Sequence, residues 1–589
     1  MNFFNLTAGT IDQKIHFSVS PKMDGVFQRG NKIQLDNVVV QNHKLELKGS
    51  NYFVRAYASL ENTGDSYNVK PLSDNLDLSH LSNSAWGARF RTALQNGLTP
   101  ATGTGSDLAT AMRLARTAAD QGRVEPGTGG FTDLKNTIIA INNWDHKNAG
   151  ITGAPETGGA WLHQMSRTYH ADAQWDLSKK INIFDLLLGA DARLYEVIPD
   201  GNNFVDFSRP VADRNKPLKG NDFGENIYYK KFGGFAQVTR TFFQDKLKVF
   251  GSLRVDYNPE FDPKVNPRIA AVYTLKEKHN FRASYQNGFR FPALFEAVSF
   301  VNNGNVRRVG GLARVNEGLG YLENSYTLAS VNNFNAAYDK DKDPAVNPID
   351  AAAALRNRGL LEVTNLYPTR PERINSFEIG YKSILLDNML VVDIDVYTNV
   401  YNGFLGQVEV AVPSSGKVNT DVSVTDMIAA NRSKQTRYRV YTNAKNKYNN
   451  YGSSLGMTFN FYKKYTLSGN VSYNNIVTNK EKDVFVTGFN TPVWTTNLSF
   501  GNREIAKNVG FNVVWRWQDS FFWESPLANG KVPSYYTFDG QLTYRVPQTK
   551  INIKVGGANV FNKRYIQYAA GPTLGGLYYV TFTMEDLLK

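Results

Sequence analysis

An all-β fold, an antiparallel transmembrane β-barrel, is what this sequence predicts, and three observations carry that prediction. From about residue 370 to the C-terminus one unit recurs: roughly ten residues alternating apolar and polar, a short polar turn, then another such stretch. No stretch approaches the ~18 apolar residues that a membrane helix needs. Short and long connections alternate along the chain, as in outer-membrane barrels with tight periplasmic turns and long outer loops.

The alternation is legible residue by residue. Between Phe281 and Arg290 one set is Phe281, Ala283, Tyr285, Asn287 and Phe289, and the other is Arg282, Ser284, Gln286, Gly288 and Arg290. Successive side chains leave a strand on opposite faces, so the first set faces lipid and the second lines something wet. Leu390, Val392, Ile394 and Val396 likewise oppose Asp393, Asp395 and Asn399; Leu542 and Tyr544 oppose Asp539, Gln541 and Thr543; Ile551, Ile553 and Val555 oppose Asn552 and Lys554. A soluble sandwich alternates too, but it buries its apolar set in a shared core. The barrel reading therefore fails if the apolar faces prove covered by a second protein layer.

Alternation and turn residues give about eighteen strands, near 13–20, 33–48, 52–63, 163–178, 181–197, 229–241, 246–257, 266–275, 280–290, 374–384, 389–402, 436–461, 465–477, 492–502, 508–520, 535–545, 550–560 and 574–583. Short turns fall at 48–51, 244–246, 276–280, 386–388, 462–464 and 547–549; long loops run over 64–162, 291–373 and 403–435. The strict alternation places the long loops outside the cell and sends the last strand down into the periplasm. Two loops carry helical patches: Asp107 to Gln121, with Ser106 as cap and Leu108, Ala111, Met112, Ala115 and Ala118 on one face, and Ile349 to Arg358, after Pro348 and stopping at Gly359. These are read as packing the loops on themselves, with lids over the mouth as the alternative.

Composition narrows the function. Only helices and closed barrels satisfy their backbone groups in hydrocarbon, so the negative mean hydropathy is compatible with a membrane barrel. With 31 tyrosines and 36 phenylalanines the chain can supply aromatic girdles at both interfaces. It has no cysteine, which excludes disulfides, thiolate catalysis and cysteine-based metal sites. The net charge of +13 is scattered, with no basic run for a nucleic-acid groove, so lipopolysaccharide and anionic solutes are the partners it favours. Met1 to Thr10 lacks the basic and apolar regions of a secretory signal.

Several segments together resemble TonB-dependent outer-membrane receptors: Asn266-Pro267-Arg268, Tyr285-Gln286-Asn287-Gly288-Phe289-Arg290-Phe291-Pro292, Pro371-Glu372-Arg373 followed by Phe377-Glu378-Ile379-Gly380-Tyr381-Lys382, and Ala558-Asn559-Val560-Phe561-Asn562-Lys563-Arg564-Tyr565. Asn62-Thr63-Gly64-Asp65-Ser66-Tyr67 and the loop holding Gly304 to Leu312 are similar to receptors of Bacteroidetes-type bacteria. The resemblance covers nearly the whole chain in the right order. It implies a barrel of about 22 strands around an N-terminal plug. With about eighteen strands counted, residues 1–589 are expected to be the barrel portion alone, without plug, TonB box, signal peptide or first strands. Such a sheet would either leave unpaired edges in lipid or close as a narrower barrel. Met584 to Lys589 also depart from the terminal aromatic of such barrels, although Phe582 lies close by. The resemblance further implies a TonB complex acting on the full-length protein and allows a lipoprotein lid.

Other motifs read as structural. Gly452-Ser453-Ser454-Leu455-Gly456 matches a hydrolase nucleophile pattern, but its flanks read as continuous strand where that motif needs a sharp elbow. Asp339, Asp341 and Asp343 have the spacing that opens a calcium loop, with Asp350 at its twelfth position; Pro344 stands where that loop needs glycine, so a solvated acidic loop is favoured over bound calcium. His163 and His170, seven apart on one expected strand, point to opposite faces and share no metal.

Candidate solute contacts are Arg290, Glu296, Arg307, Arg308, Arg314 and Tyr321, because guanidinium pairs with carboxylate and catecholate oxygens at a barrel mouth. The alternative for the arginines is bracing of the loop, or binding lipopolysaccharide phosphate. Arg268, Arg282, Arg290, Glu378 and Lys382 are expected in the lumen, paired with one another or with a plug. The resulting expectation is a non-enzymatic, energy-coupled importer of a scarce large solute of siderophore, cobalamin or glycan type, with a passive pore or structural barrel as the alternative.

Overall fold

A computed structural model describes residues 2–8, 11–19 and 23–27 through their backbone, and residues 33–101, 103–142, 159–201, 203–301, 306–346, 349–462, 464–477, 489–525, 528–549 and 551–584 in full. Among the described residues twenty-one strands share one sheet, in which the strand pairings are antiparallel. Two of them, Met23–Phe27 and Tyr67–Asn68, are short additions on the upper half of Ile33–Lys48. The rest follow one another around the wall in chain order, from Asn2–Ala8 and Ile11–Val19 through to Ile551–Ala558 and Leu577–Met584. Among the described residues no pairing joins Asn2–Ala8 to Leu577–Met584.

Each expected strand has a counterpart, with three differences. Asn2–Ala8 precedes the first expected strand. The strand expected from 266 begins at Phe261, because Pro263 and Pro267 sit in the ladder without ending it. The long strand expected over 436–461 is two: Gln435–Asn443 pairs in a separate loop sheet, and only Tyr448–Phe461 joins the wall. Alternation continues across that break, so periodicity alone could not reveal it.

The two faces of the wall differ as the alternation requires. Phe281, Ile379, Val396, Leu542 and Val555 are 46–63% exposed on the outer face, with no protein layer over them. Asn287, a polar member of the outward set, donates to Asn375 Oδ1 at 2.8 Å on the paired strand. The inner face carries ion pairs within and across strands: Arg55 with Asp172 at 2.8 Å and Arg516 with Asp539 at 2.8 Å join paired strands, while Arg254 holds Asp256 of its own strand and reaches Asp191 two strands away. A charge on this face is never in hydrocarbon.

One end of the wall has tight turns, several of them in left-handed backbone: Phe243, Gln244 and Asp245 have φ of 56°, 56° and 64°, and Leu386, Asp387 and Asn388 have 51°, 48° and 68°. The opposite end carries the long loops. The alternation is one of side and not strictly of length, since Pro259 and Glu260 alone join Asn258 to Phe261 on the long-loop side.

The loops hold their own cores. Residues 63–164 include the helices Val69–His80, Asn83–Leu98, Leu108–Asp120 and Gly129–Ala140. The third matches the expected helix, but Asp107 rather than Ser106 caps it, accepting from Ala109 and Thr110 at 3.1 and 3.2 Å. Its buried face is Ala111, Ala115 and Ala119, while Leu108 and Met112 face solvent. Of the other expected patch, Ala351–Arg356 is α-helical, capped by Asp350, and Arg358–Leu360 continues as a 3-10 turn through Gly359. Residues 143–158, 302–305 and 585–589, which include Gly304 and most of the expected C-terminal departure, lie outside the described residues.

Candidate functional site

Above the mouth, the loops 291–371 and 403–447 build a five-stranded sheet in the order Phe300–Val301, Arg307–Val309, Gln435–Asn443, Leu405–Pro413, Tyr326–Thr327. Val309, Val408, Val410, Tyr438 and Val440 turn to one face, which is the core shared with the ends of the wall strands. The register puts Arg308 opposite Arg439, Arg439 opposite Glu409, and Gln407 opposite Tyr441, so these side chains share the other face, which continues to Arg437. At its far end Ala411 passes under a second core formed by Tyr326, Phe334 and Met427.

This second face is basic. Arg308 lies over the Phe295 ring at 5.8 Å, with its Nε buried and unbonded. Arg439 Nε donates to Glu409 Oε1 at 2.8 Å, and Arg437 Nε donates to Gln435 Oε1 at 2.9 Å. Arg432 donates to the Gln435 carbonyl at 2.7 Å and feels Arg307 beside it. Burial and then the neighbouring arginine push the guanidinium pKa values of both Arg432 and Arg437 down, the direction in which an incoming anion would be welcome. Gln407 Oε1 is buried without a partner, and burial raises the phenol of Tyr441 against the opposing pull of Arg308.

The six residues expected to contact solute therefore separate. Arg308 belongs to the basic face, whereas Arg307, opposite Tyr438 in the ladder, turns to the other side of the sheet. Arg290 and Glu296 neutralise each other at 2.8 Å, with Glu372 also 2.8 Å from Arg290; Glu296 further accepts from the Ala293 N–H at 2.7 Å to start the helix Leu294–Val298. Arg314 sits elsewhere, 3.0 Å from Glu260 and over Phe207. Tyr321 is a core residue, 1% exposed, whose hydroxyl donates to Asn316 Oδ1, so a solute at the mouth does not reach it in this structure. Sequence reasoning missed Arg432, Arg437, Arg439 and Tyr441, because it assigned three of them to the barrel wall. The i, i+2 spacing of Arg437, Arg439 and Tyr441 was the available signal.

In the lumen Arg282 reaches Glu378 at 3.4 Å, Asp393 at 2.9 Å and Asp395 at 3.6 Å, and Lys382 shares Asp393 at 3.4 Å. Arg268 stands apart from this group, its guanidinium 5.3 Å from the Phe250 ring. Ser454 lies within the unbroken strand Tyr448–Phe461 and donates to Asp395 Oδ1 at 2.6 Å, so the hydrolase-like motif forms no elbow. Asp339 and Asp341 end the helix Leu328–Asp341 and pair with Lys342 and Arg356 at 2.8 and 3.0 Å. Asp343 accepts from the Ala345 N–H, and Asp350 caps a helix, so these carboxylates do not converge on one ion. Among the described residues no cluster of three or more metal-binding side chains occurs. His163 precedes the strand Met165–Asp176 and stacks on Trp161 at 4.3 Å, while His170 alone is in that strand.

Comparison with known proteins fits this architecture. The family model described as TonB dependent receptor-like, beta-barrel matches residues 23–562. A mutant ferric enterobactin receptor from Pseudomonas aeruginosa in complex with enterobactin is similar at 12% identity and a TM-score of 0.51, over 98% of this chain and 76% of that one. The siderophore receptor PirA from Acinetobacter baumannii is similar at 11% identity and a TM-score of 0.50, over 98% and 75%. At these identities the likeness is one of fold. No curated protein matches the chain. A match to the barrel model over most of its length, on a wall with a lipid-ready outer face and an ion-paired interior, makes this chain a member of the TonB-dependent receptor-like β-barrel family.

Proposed function

We propose that this protein forms the wall and mouth of an outer-membrane importer that captures a large anionic solute, such as a ferric siderophore, on the arginine face of the loop sheet. The carrying observation is the gathering of Arg308, Arg437 and Arg439 on one face of a small sheet, with Arg432 beside Arg437 and Glu409 the carboxylate paired with Arg439. Planar guanidiniums match carboxylate and catecholate oxygens in pairs, and partly desolvated ones bind anions more strongly than those in bulk water. The wall performs capture and selection, not covalent chemistry. Inward passage draws on the TonB complex, and the uncharged members of the expected substrate range, cobalamin and neutral glycans, are disfavoured by this surface.

Binding to the full chain in detergent, read by its intrinsic fluorescence, tests the proposal. A trianionic ferric catecholate should bind, and a neutral ferric hydroxamate should not. Reversal by Arg439→Glu should weaken binding by about tenfold or more, the scale of one lost charge-assisted pair. Equal binding of both chelates, or none of either, would remove the anionic-solute reading. A passive pore would instead conduct ions steadily in a planar bilayer without any solute.

A further inference from the structure

The outer wall is not uniformly bulky. On three adjacent strands, Tyr52–Asn62, Met165–Asp176 and Asp185–Ile198, the outward positions Ala56, Ala171 and Ala192 face one another across the ladder, Ala173 faces Ala190 beside them, and Ala58 follows Ala56. Leu45, Tyr169, Leu194 and Phe232 stand around them, so the wall has a depression of about 770 Å³ on its hydrocarbon face. A second hollow of about 620 Å³ continues from Ala173 and Ala190 toward Trp175 and Lys180. Another outward hollow, of about 660 Å³, lies at Gly540 and Gly557 beside Leu542 and Val555, but its lining carries no cationic side chain.

We propose that this depression seats an acyl chain of a phosphorylated lipid of the outer leaflet, the chemistry of lipid A, with its phosphate against Lys230. Lys230 lines the rim on the long-loop side, opposite Leu194 in the ladder, and has no ion pair among the described residues. The carboxylate on the same outward face, Glu196, is already taken by Arg167 at 3.3 Å and Asn226 at 2.8 Å. The lining contains no aspartate or glutamate. Tyr228, two positions nearer the long loops than Lys230 on the same outward face, is an exposed aromatic of the kind that sits at lipid headgroups. A second copy fits less well, because a two-fold contact would set two hollows face to face and leave a void. A flexible chain fills a concave apolar surface without needing a matching ridge.

The test uses the full chain, delipidated in detergent, with diphosphoryl lipid A added and adducts read by native mass spectrometry. Retained barrel structure in each variant is checked by its heat-dependent gel mobility. One lipid A should remain on the wild type, and phosphatidylcholine should not. Ala171→Trp, which fills the hollow, should lower the adduct about tenfold, and Lys230→Glu several-fold. Ala192→Leu serves as the milder filling should the tryptophan variant not fold. Ile379→Trp, at another part of the wall, should leave the adduct unchanged. Equal adducts in all variants, a phosphatidylcholine adduct as strong as that of lipid A, or a dimer dissolved by Ala171→Trp would each overturn the assignment.

Discussion

At Asp206 a single buried carboxylate ties the loop 199–226 together. Its Oδ1 accepts from the Ser208 N–H at 2.9 Å and hydroxyl at 2.6 Å, and its Oδ2 accepts from the Glu225 N–H at 3.0 Å. Gly224, at φ 112°, approaches so closely that a Cβ there would lie 2.4 Å from Oδ2. Burial pushes the carboxyl pKa up, but the Ser208 hydroxyl and the two N–H groups outweigh it and hold it below the usual range. A depressed carboxylate stabilises the folded loop fully above its unfolded pKa of about 3.9, and that contribution fades as pH falls through the lowered value. Asp206→Asn should therefore open this loop by about 1–3 kcal/mol at neutral pH, and the difference from wild type should shrink in acid. Hydrogen exchange of residues 199–226 at several pH values measures both.

Along the strands, each outward or inward position carries its own energetic rule. Ile379 faces hydrocarbon and Ser284, opposite Glu378 in the ladder, faces the lumen. Arginine at a lipid-facing position costs about 2–4 kcal/mol near the bilayer midplane, whereas a lumen arginine beside carboxylates stays solvated and paired. Ile379→Arg should thus destabilise the chain folded into lipid bilayers by that amount, and Ser284→Arg should be close to neutral, as read by urea titration. Glycine has its own place in the ladder: a Cβ at Gly452 would lie 2.0 Å from the Tyr397 ring of the paired strand, on the inner face. Gly452→Val should consequently displace Tyr397 and lower the same urea midpoint, an effect that Tyr397→Ala should relieve.

Across the whole molecule, the loop cores and the tight turns lie at opposite ends of one sheet, and this polarity sets the orientation. Trypsin added to intact cells should cut within 63–164, at exposed residues such as Arg113, and leave Lys246 and Lys276 in the tight turns uncut. Permeabilising the outer membrane should then expose those turns. Cleavage at Lys246 in intact cells, identified by peptide mass, would reverse the assigned orientation.

The wall was legible in the sequence because a period of two and a turn are local properties: Phe281 to Arg290 and Leu390 to Asn399 divide into faces without reference to any neighbour. The inner ion pairs were half legible, since alternation placed Arg282, Glu378 and Lys382 on one face while their partners, Asp393 and Asp395, depended on strand register. The candidate site was scarcely legible. Gln435–Asn443 alternates as a wall strand does, and only packing between two distant loops turns Arg437 and Arg439 toward Arg308 while burying Tyr321. The alternation by itself determined that this chain lines membrane with one face and water with the other, because side-chain direction along a strand is fixed by covalent geometry. Which arginines meet above the mouth was decided only by tertiary structure, because that contact joins residues more than a hundred positions apart through cores that no local pattern encodes.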